Sequence, residues 1–155
     1  LGLLGVSYLQ RKAPAHQAPD APQVQIGQGE QQLLDGLNAA RQAAGLVKVA
    51  LDPQVEQLAR DRANDMATRN YFSHTTPEGA TFIDMINQRN IPYNNSGEII
   101  NRNNYPDAAQ QAISGFLNSP HHYDIIMTGE FNFAGVAEAS GADRIKYFVV
   151  IFVAR

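Results

Sequence analysis

Apolar residues recur along this chain at helical spacing for most of its length and form unbroken or alternating runs only near the C-terminus, so the pattern divides into a helical body and a β end. From Glu30, EQQLLDGLNAARQAAGL places Leu33, Leu37, Ala40 and Ala44 on one helical face, with Gly45 as the stop. Asp52-Pro53 reads as an N-cap followed by proline at the first helical position, and Val55, Leu58, Ala59, Ala63, Met66 and Ala67 carry a second helix to about Asn70. That helix delivers Tyr71, Phe72 and His74 just past its end. TTPEGA at 75–80 is a turn, and TFIDMINQRN is a short third helix closed by Ile91-Pro92. Ala109, Ala112, Ile113, Phe116 and Leu117 mark a fourth, which stops near Asn118 because Pro120 disfavours helix in the residue before it. Ser119-Pro120 then predicts an N-cap and first position of another short helix, with His121 and His122 in its first turn.

FNFAGVAEA at 131–139 and IKYFVVIFVA at 145–154 read as two strands joined as a hairpin through Ser140-Gly141-Ala142-Asp143. The near-continuous apolar run of the second marks a central strand covered on both faces. SGEIINRN fits either a short strand or an extended loop. Four or five helices with a sheet covered on both sides imply an α+β fold: a three-layer α-β-α sandwich around a central, mainly antiparallel sheet.

Length and composition narrow the picture without changing it. A chain of 155 residues holds one ordinary domain, and 44% hydrophobic against 17% charged residues favours a folded core. A net charge of -3 with scattered Lys and Arg argues against a nucleic-acid partner, and a monomer is expected. The absence of cysteine removes disulfides, thiolate nucleophiles and Cys-based zinc sites. LGLLGVSYL at 1–9, followed by Gln10-Arg11-Lys12 and a Pro/Ala/Gln-rich tract to residue 29, fits the tail of an export signal or N-terminal membrane anchor and a disordered spacer; residues 30–155 then form the domain. Nine residues are too few to span a bilayer, which needs about 20.

Candidate chemistry lies in three polar segments: NYFSHTTPEG, SGEII and FLNSPHHYDIIM. Each sets an ionisable group, His74, Glu98 or His122, among apolar neighbours, where it must be hydrogen-bonded, paired or metal-bound. His74 alone suits a structural or helix-capping role better than ligation, as does His122, and His121 is the more solvent-facing member of its pair. If the three side chains converge, two imidazoles and a carboxylate suit a divalent ion, zinc first, with open positions for water. Glu98 suits direct ligation, a catalytic base, or orientation of an imidazole ring from behind. A Ser-His-Glu triad through Ser73 or Ser119 is disfavoured, because Ser119 serves as a cap and no Gly-x-Ser-x-Gly elbow exists. A glycosidase pair is poorly supported, with Glu78 in a turn and Glu138 on a strand.

Taken in order, LLDGLNAARQAAGL with Asn38 and Arg41, NYFSH, TPEG, the SGEII segment and NSPHH resemble the bacterial branch of the CAP superfamily, also called SCP or PR-1-like domains, from Gln32 to Val153. The resemblance implies an α-β-α sandwich with a cleft in which His74, Glu98 and His122 occupy the family's positions, the imidazoles able to bind a labile zinc or other divalent ion. His121 stands where a glycine is usual and adds a further candidate ligand. Ile99 stands where asparagine follows the cleft Glu, and Phe116 where tryptophan is usual. No counterpart of the second cleft Glu is evident. The function implied is an exported binding module for a lipid, peptide or cell-envelope component. A zinc-dependent hydrolase using Glu98 as base ranks second, and a structural domain with a vestigial cleft third.

Overall fold

The computed structural model describes residues 23–155. The apolar segment 1–9 and most of the spacer lie outside the described residues. Among the described residues no helix is long and apolar enough to cross a membrane.

The helices begin and end where local chemistry supplies partners for their free backbone groups. Helix α1, Gln28–Ala43, starts where Glu30 Oε1 accepts the Gly27 N–H at 2.7 Å. It is followed by Gly45 at φ 79°, a left-handed backbone that suits glycine. Helix α2, Pro53–Arg69, is capped by Asp52, whose Oδ1 accepts the N–H groups of Gln54 and Val55 at 3.0 Å each. It ends on Asn70, itself left-handed at φ 53°, and that reversal turns residues 71–74 back over the sheet edge. Helix α3, Phe82–Gln88, opens with a Thr81–Asp84 capping pair. Helices α4, Ala108–Asn118, and α5, Pro120–Ile126, meet at Ser119. Ser119 occupies the N-cap position with extended backbone, but its hydroxyl makes no capping bond; Pro120 alone marks the start.

Four strands form one sheet in the order β1-β3-β4-β2. Strand β4, Lys146–Ala154, is central, paired antiparallel with β2, Asn95–Asn103, on one side and β3, Phe133–Ser140, on the other. SGEIINRN is therefore a strand, and a full-length one. The two-residue β1, Ala50–Leu51, adds a parallel edge to β3 that no periodicity predicts. The 131–139 and 145–154 runs form the expected hairpin, joined through a 3-10 turn at Ala142–Arg144.

Alternation along β4 splits the core into two layers. Phe148, Val150 and Phe152 pack with α1, α4 and α5, whereas Tyr147, Val149, Ile151 and Val153 pack with α2 and α3. A glycine makes the second packing possible: a Cβ at Gly135 of β3 would lie 2.4 Å from the Val55 carbonyl oxygen, closer than any real contact. Gly135→Ala is expected to lower stability by about 1–3 kcal/mol in chemical denaturation, because backbone rather than a flexible side chain would have to move.

Glu56 of α2 is buried, with Oε2 accepting the Val136 N–H of β3 at 2.7 Å and Oε1 facing Arg60 Nε at 3.1 Å. Burial, helped by the charge of Glu30 and opposed by the Val136 and Arg60 contacts, pushes its carboxyl up to about 7 from an ordinary 4.5. The folded chain therefore binds this proton more tightly than the unfolded one. The associated stability is complete below about pH 4.5, declines as pH rises, and is lost above about pH 7, a span on the order of 3 kcal/mol. Denaturation midpoints measured from pH 4.5 to 8 should show this decline, and Glu56→Gln should flatten it.

Candidate functional site

The site forms where both helical layers reach the β2 edge of the sheet. The sharp exit from α2 at Asn70 brings the 71–74 segment over one side, and α5 flanks the other. Between them lies a cleft of about 360 Å³, lined by His74, Phe82, Asn95 to Glu98, His121, Ile125, Thr128 and Phe131. A larger groove of about 690 Å³ runs along α1 and β1, but it carries no histidine and no buried carboxylate. The candidate chemistry is in the smaller cleft. Its floor stays open because position 97 is glycine: a Cβ there would lie 3.0 Å from Ile125 and 3.3 Å from Phe131.

Glu98 is 3% exposed and points to the α2 face of β2. Its carboxylate is held by Arg62 of α2, itself 1% exposed, with Nε donating to Oε2 at 2.8 Å and Nη2 to Oε1 at 2.9 Å. The same guanidinium donates to the Ser73 carbonyl at 2.9 Å and reaches the Tyr71 hydroxyl at 3.3 Å, so it also fixes the segment that carries His74. The Tyr71 hydroxyl in turn donates to Asp65 Oδ2 at 2.5 Å. Burial works against the charge on Arg62, but the hydrogen bonds and charge of Glu98 outweigh it and raise its basicity.

Arg62 was not among the residues singled out from the sequence. Its signal is a cation inside the apolar stripe Leu58, Ala59, Ala63, Met66, four residues after Leu58 and three after Ala59. An arginine at such a position must find a buried partner.

His74 Nδ1 lies 2.8 Å from Glu98 Oε1. A carboxylate only accepts, so Nδ1 donates and Nε2 is left with a free lone pair. The His74 side chain is 50% exposed, so its apolar neighbours in sequence do not enclose it. His121, in the first turn of α5, is exposed and lines the cleft opposite. His122 is placed differently. Its ring meets Phe116 edge-on at 5.4 Å between centroids, and its buried Nδ1 has no hydrogen-bond partner. Burial, followed by the nearby imidazoles of His121 and His74, pushes His122 below its ordinary value and so favours its neutral form.

Arg41 sets the position of α5. It is fully buried and donates to the carbonyls of Val47, Ile126, Thr128 and Phe131 at 2.7 to 3.0 Å, tying the end of α1 to the loop behind the cleft. Asn38 similarly clamps both backbone groups of Val49, at 3.0 and 2.9 Å.

The structure thus brings His74, Glu98 and His121 to one cleft, with His122 packed on Phe116 and close enough to His74 to feel its charge. Among the described residues no three of His, Cys, Asp or Glu are grouped to hold a metal ion. The donors on offer to a cation are imidazole nitrogens, with Glu98 committed to His74 and Arg62.

Comparison with protein families matches residues 34–152 to CAP, the cysteine-rich secretory protein family. The uncharacterized membrane protein YlbC of Bacillus subtilis is 32% identical over 126 residues, covering 81% of this chain and 34% of that protein. The chain therefore spans about a third of that relative's length. An extracellular SCP-domain protein from Bacillus anthracis matches with a TM-score of 0.70 and 28% identity, over 82% of this chain and 40% of that one. An outer surface protein from Borrelia burgdorferi matches with a TM-score of 0.75 and 21% identity, over 85% of this chain and 96% of that one.

The Arg62–Glu98 pair should dominate mutational sensitivity here. Arg62→Met leaves a buried carboxylate with only the half-exposed His74 ring as partner and is expected to cost about 3–5 kcal/mol in urea denaturation, whereas Arg62→Met with Glu98→Leu should recover much of that loss. A double variant no more stable than the single one would contradict the assigned pairing.

Proposed function

The chain belongs to the cysteine-rich secretory protein (CAP) family, and from that premise we propose that it is an exported binding module whose cleft takes up a divalent cation, zinc first, beside a small ligand of the cell envelope. The observation that carries this is the Arg62–Glu98–His74 relay. A carboxylate behind Nδ1 fixes the tautomer and orientation of the ring and leaves Nε2 as a preformed metal donor facing the cleft. Export is supported by the likeness to an extracellular SCP-domain protein.

The donor chemistry fits a borderline cation: neutral imidazole suits zinc, and waters would complete its shell. With His74 and one ring of α5 as protein donors, uptake is expected to be reversible and weaker than in a closed structural site. When bound, the cation would supply Lewis acidity to a ligand in the cleft. The residues around it bind and orient: Asn95, Ser96 and Thr128 offer polar groups, and Phe82, Ile125 and Phe131 an apolar wall for the tail of a lipid or another envelope component. A hydrolase with Glu98 as base is less well supported, because both carboxylate oxygens are already engaged by Arg62 and His74.

Calorimetric titration of the chain with zinc should show uptake that His74→Ala abolishes. Uptake unchanged in that variant would remove the cation from the cleft.

A further inference from the structure

We infer that the envelope ligand of the cleft is an extended peptide segment, which adds to the outer edge of β2 as a further strand. The inference rests on the reading of the cleft as a binding site, but not on its cation. Strand β2 ends the sheet order, with β4 on one side and, among the described residues, no strand on the other. The cleft is lined by four consecutive residues of this strand, Asn95 to Glu98. Successive side chains of a strand point to opposite faces, so a pocket over one face would meet alternate residues. One that meets all four opens on the edge itself. His74 on one side and α5 on the other stand as rails along it.

The ladder sets which backbone groups look outward. The Gly141 N–H donates to the Ile145 carbonyl at 2.8 Å, so odd-numbered residues of β4 exchange hydrogen bonds with β3 and even-numbered ones with β2. In the β2–β4 register Asn95 faces Ala154 and Gly97 faces Phe152, which turns the backbone groups of Ser96 and Glu98 toward the cleft. The Ser96 N–H is taken by Asn95 Oδ1 at 2.9 Å. Among the described residues the Ser96 carbonyl and the Glu98 N–H have no partner. One residue of a parallel strand, set opposite Gly97, satisfies both: its N–H donates to Ser96 and its carbonyl accepts from Glu98. Polypeptide carries that donor and acceptor in its backbone, whereas an acyl chain carries neither. The side chain of the paired residue lies on the face of Gly97, beside Ile125 and Phe131, and is therefore apolar. Its neighbours turn to the face of Glu98 and His74, where a hydroxyl can donate to the free Nε2. Further along β2 the Arg102 guanidinium lies over the Phe72 ring at 5.1 Å, so the exit segment closes on the strand and the open stretch is short. A short, railed edge admits a single strand and works against pairing with the sheet of another copy.

The test is a nitrogen-15 NMR titration of the full chain, in EDTA, with the acetylated and amidated peptide Thr-Val-Thr-Val-Thr and with the same peptide N-methylated at both valines. Altering the peptide rather than the chain leaves folding untouched. The unmethylated peptide is expected to shift the amide signals of Gly97 and Glu98 and to slow hydrogen exchange at the Glu98 N–H. The methylated one should bind at least about tenfold more weakly, because it leaves the Ser96 carbonyl unpaired. Equal binding of the two peptides would overturn the inference, as would a peptide that shifts no signal of residues 95–98 at millimolar concentration. Phosphatidylglycerol vesicles that shift those signals where the peptide does not would assign the edge to lipid and overturn it too. If the signals move with protein concentration alone, the edge pairs with a second copy and the inference falls. Peptide binding by a chain that takes up no zinc would remove the cation and leave this inference standing; zinc uptake without peptide binding would remove only this inference.

Discussion

The buried pairing of Arg62 with Glu98 is the constraint on which the rest of the site depends. It joins α2 to the edge strand β2, pins the Ser73 carbonyl and Tyr71 hydroxyl of the exit segment, and through Glu98 sets the His74 ring. Two charges so deeply buried stabilise a fold little in net terms, because desolvation offsets most of their attraction. Their effect is on geometry: either residue without the other is costly, so the carboxylate has one position and the histidine in front of it one tautomer.

A second cation plays a comparable part without a carboxylate. Arg41 spreads its donors over four carbonyls from the α1 exit and the loop after α5. Burial lowers its basicity, yet an arginine begins so far above neutral pH that it remains charged. The two arginines divide the cleft between them, Arg62 fixing the wall that carries His74 and Arg41 the loop beneath the helix that carries His121.

Much of the fold was legible from local signals. Asp52-Pro53 marked the start of α2, and the unbroken apolar run of β4 predicted a strand covered on both faces. The limits were also physical. Strand β1 has two residues, too few for any periodicity, and the β2 segment could not be separated from a loop because its partner β4 lies far along the chain. At the site, Glu98 announced itself as a carboxylate among isoleucines, but its partner lies 36 residues upstream and only the fold brings them together. Whether His121 or His122 faces the cleft depends on how a seven-residue helix is rotated when it docks, and Ser119-Pro120 fixes the helix start without fixing that rotation.

The cleft straddles an edge strand, so its two imidazole walls belong to different layers of the sandwich. One wall is set by the exit segment that Arg62 pins and the other by the docking of α5. Anything that bridges His74 and an imidazole of α5 spans the domain's seam at this edge and acts as a clasp between the two layers, as the Arg60–Glu30 contact joins α2 to α1 elsewhere. In such a design, tightening or loosening the packing of α2 or α4 would be felt at the cleft as a change in jaw width, with no residue of the site itself altered.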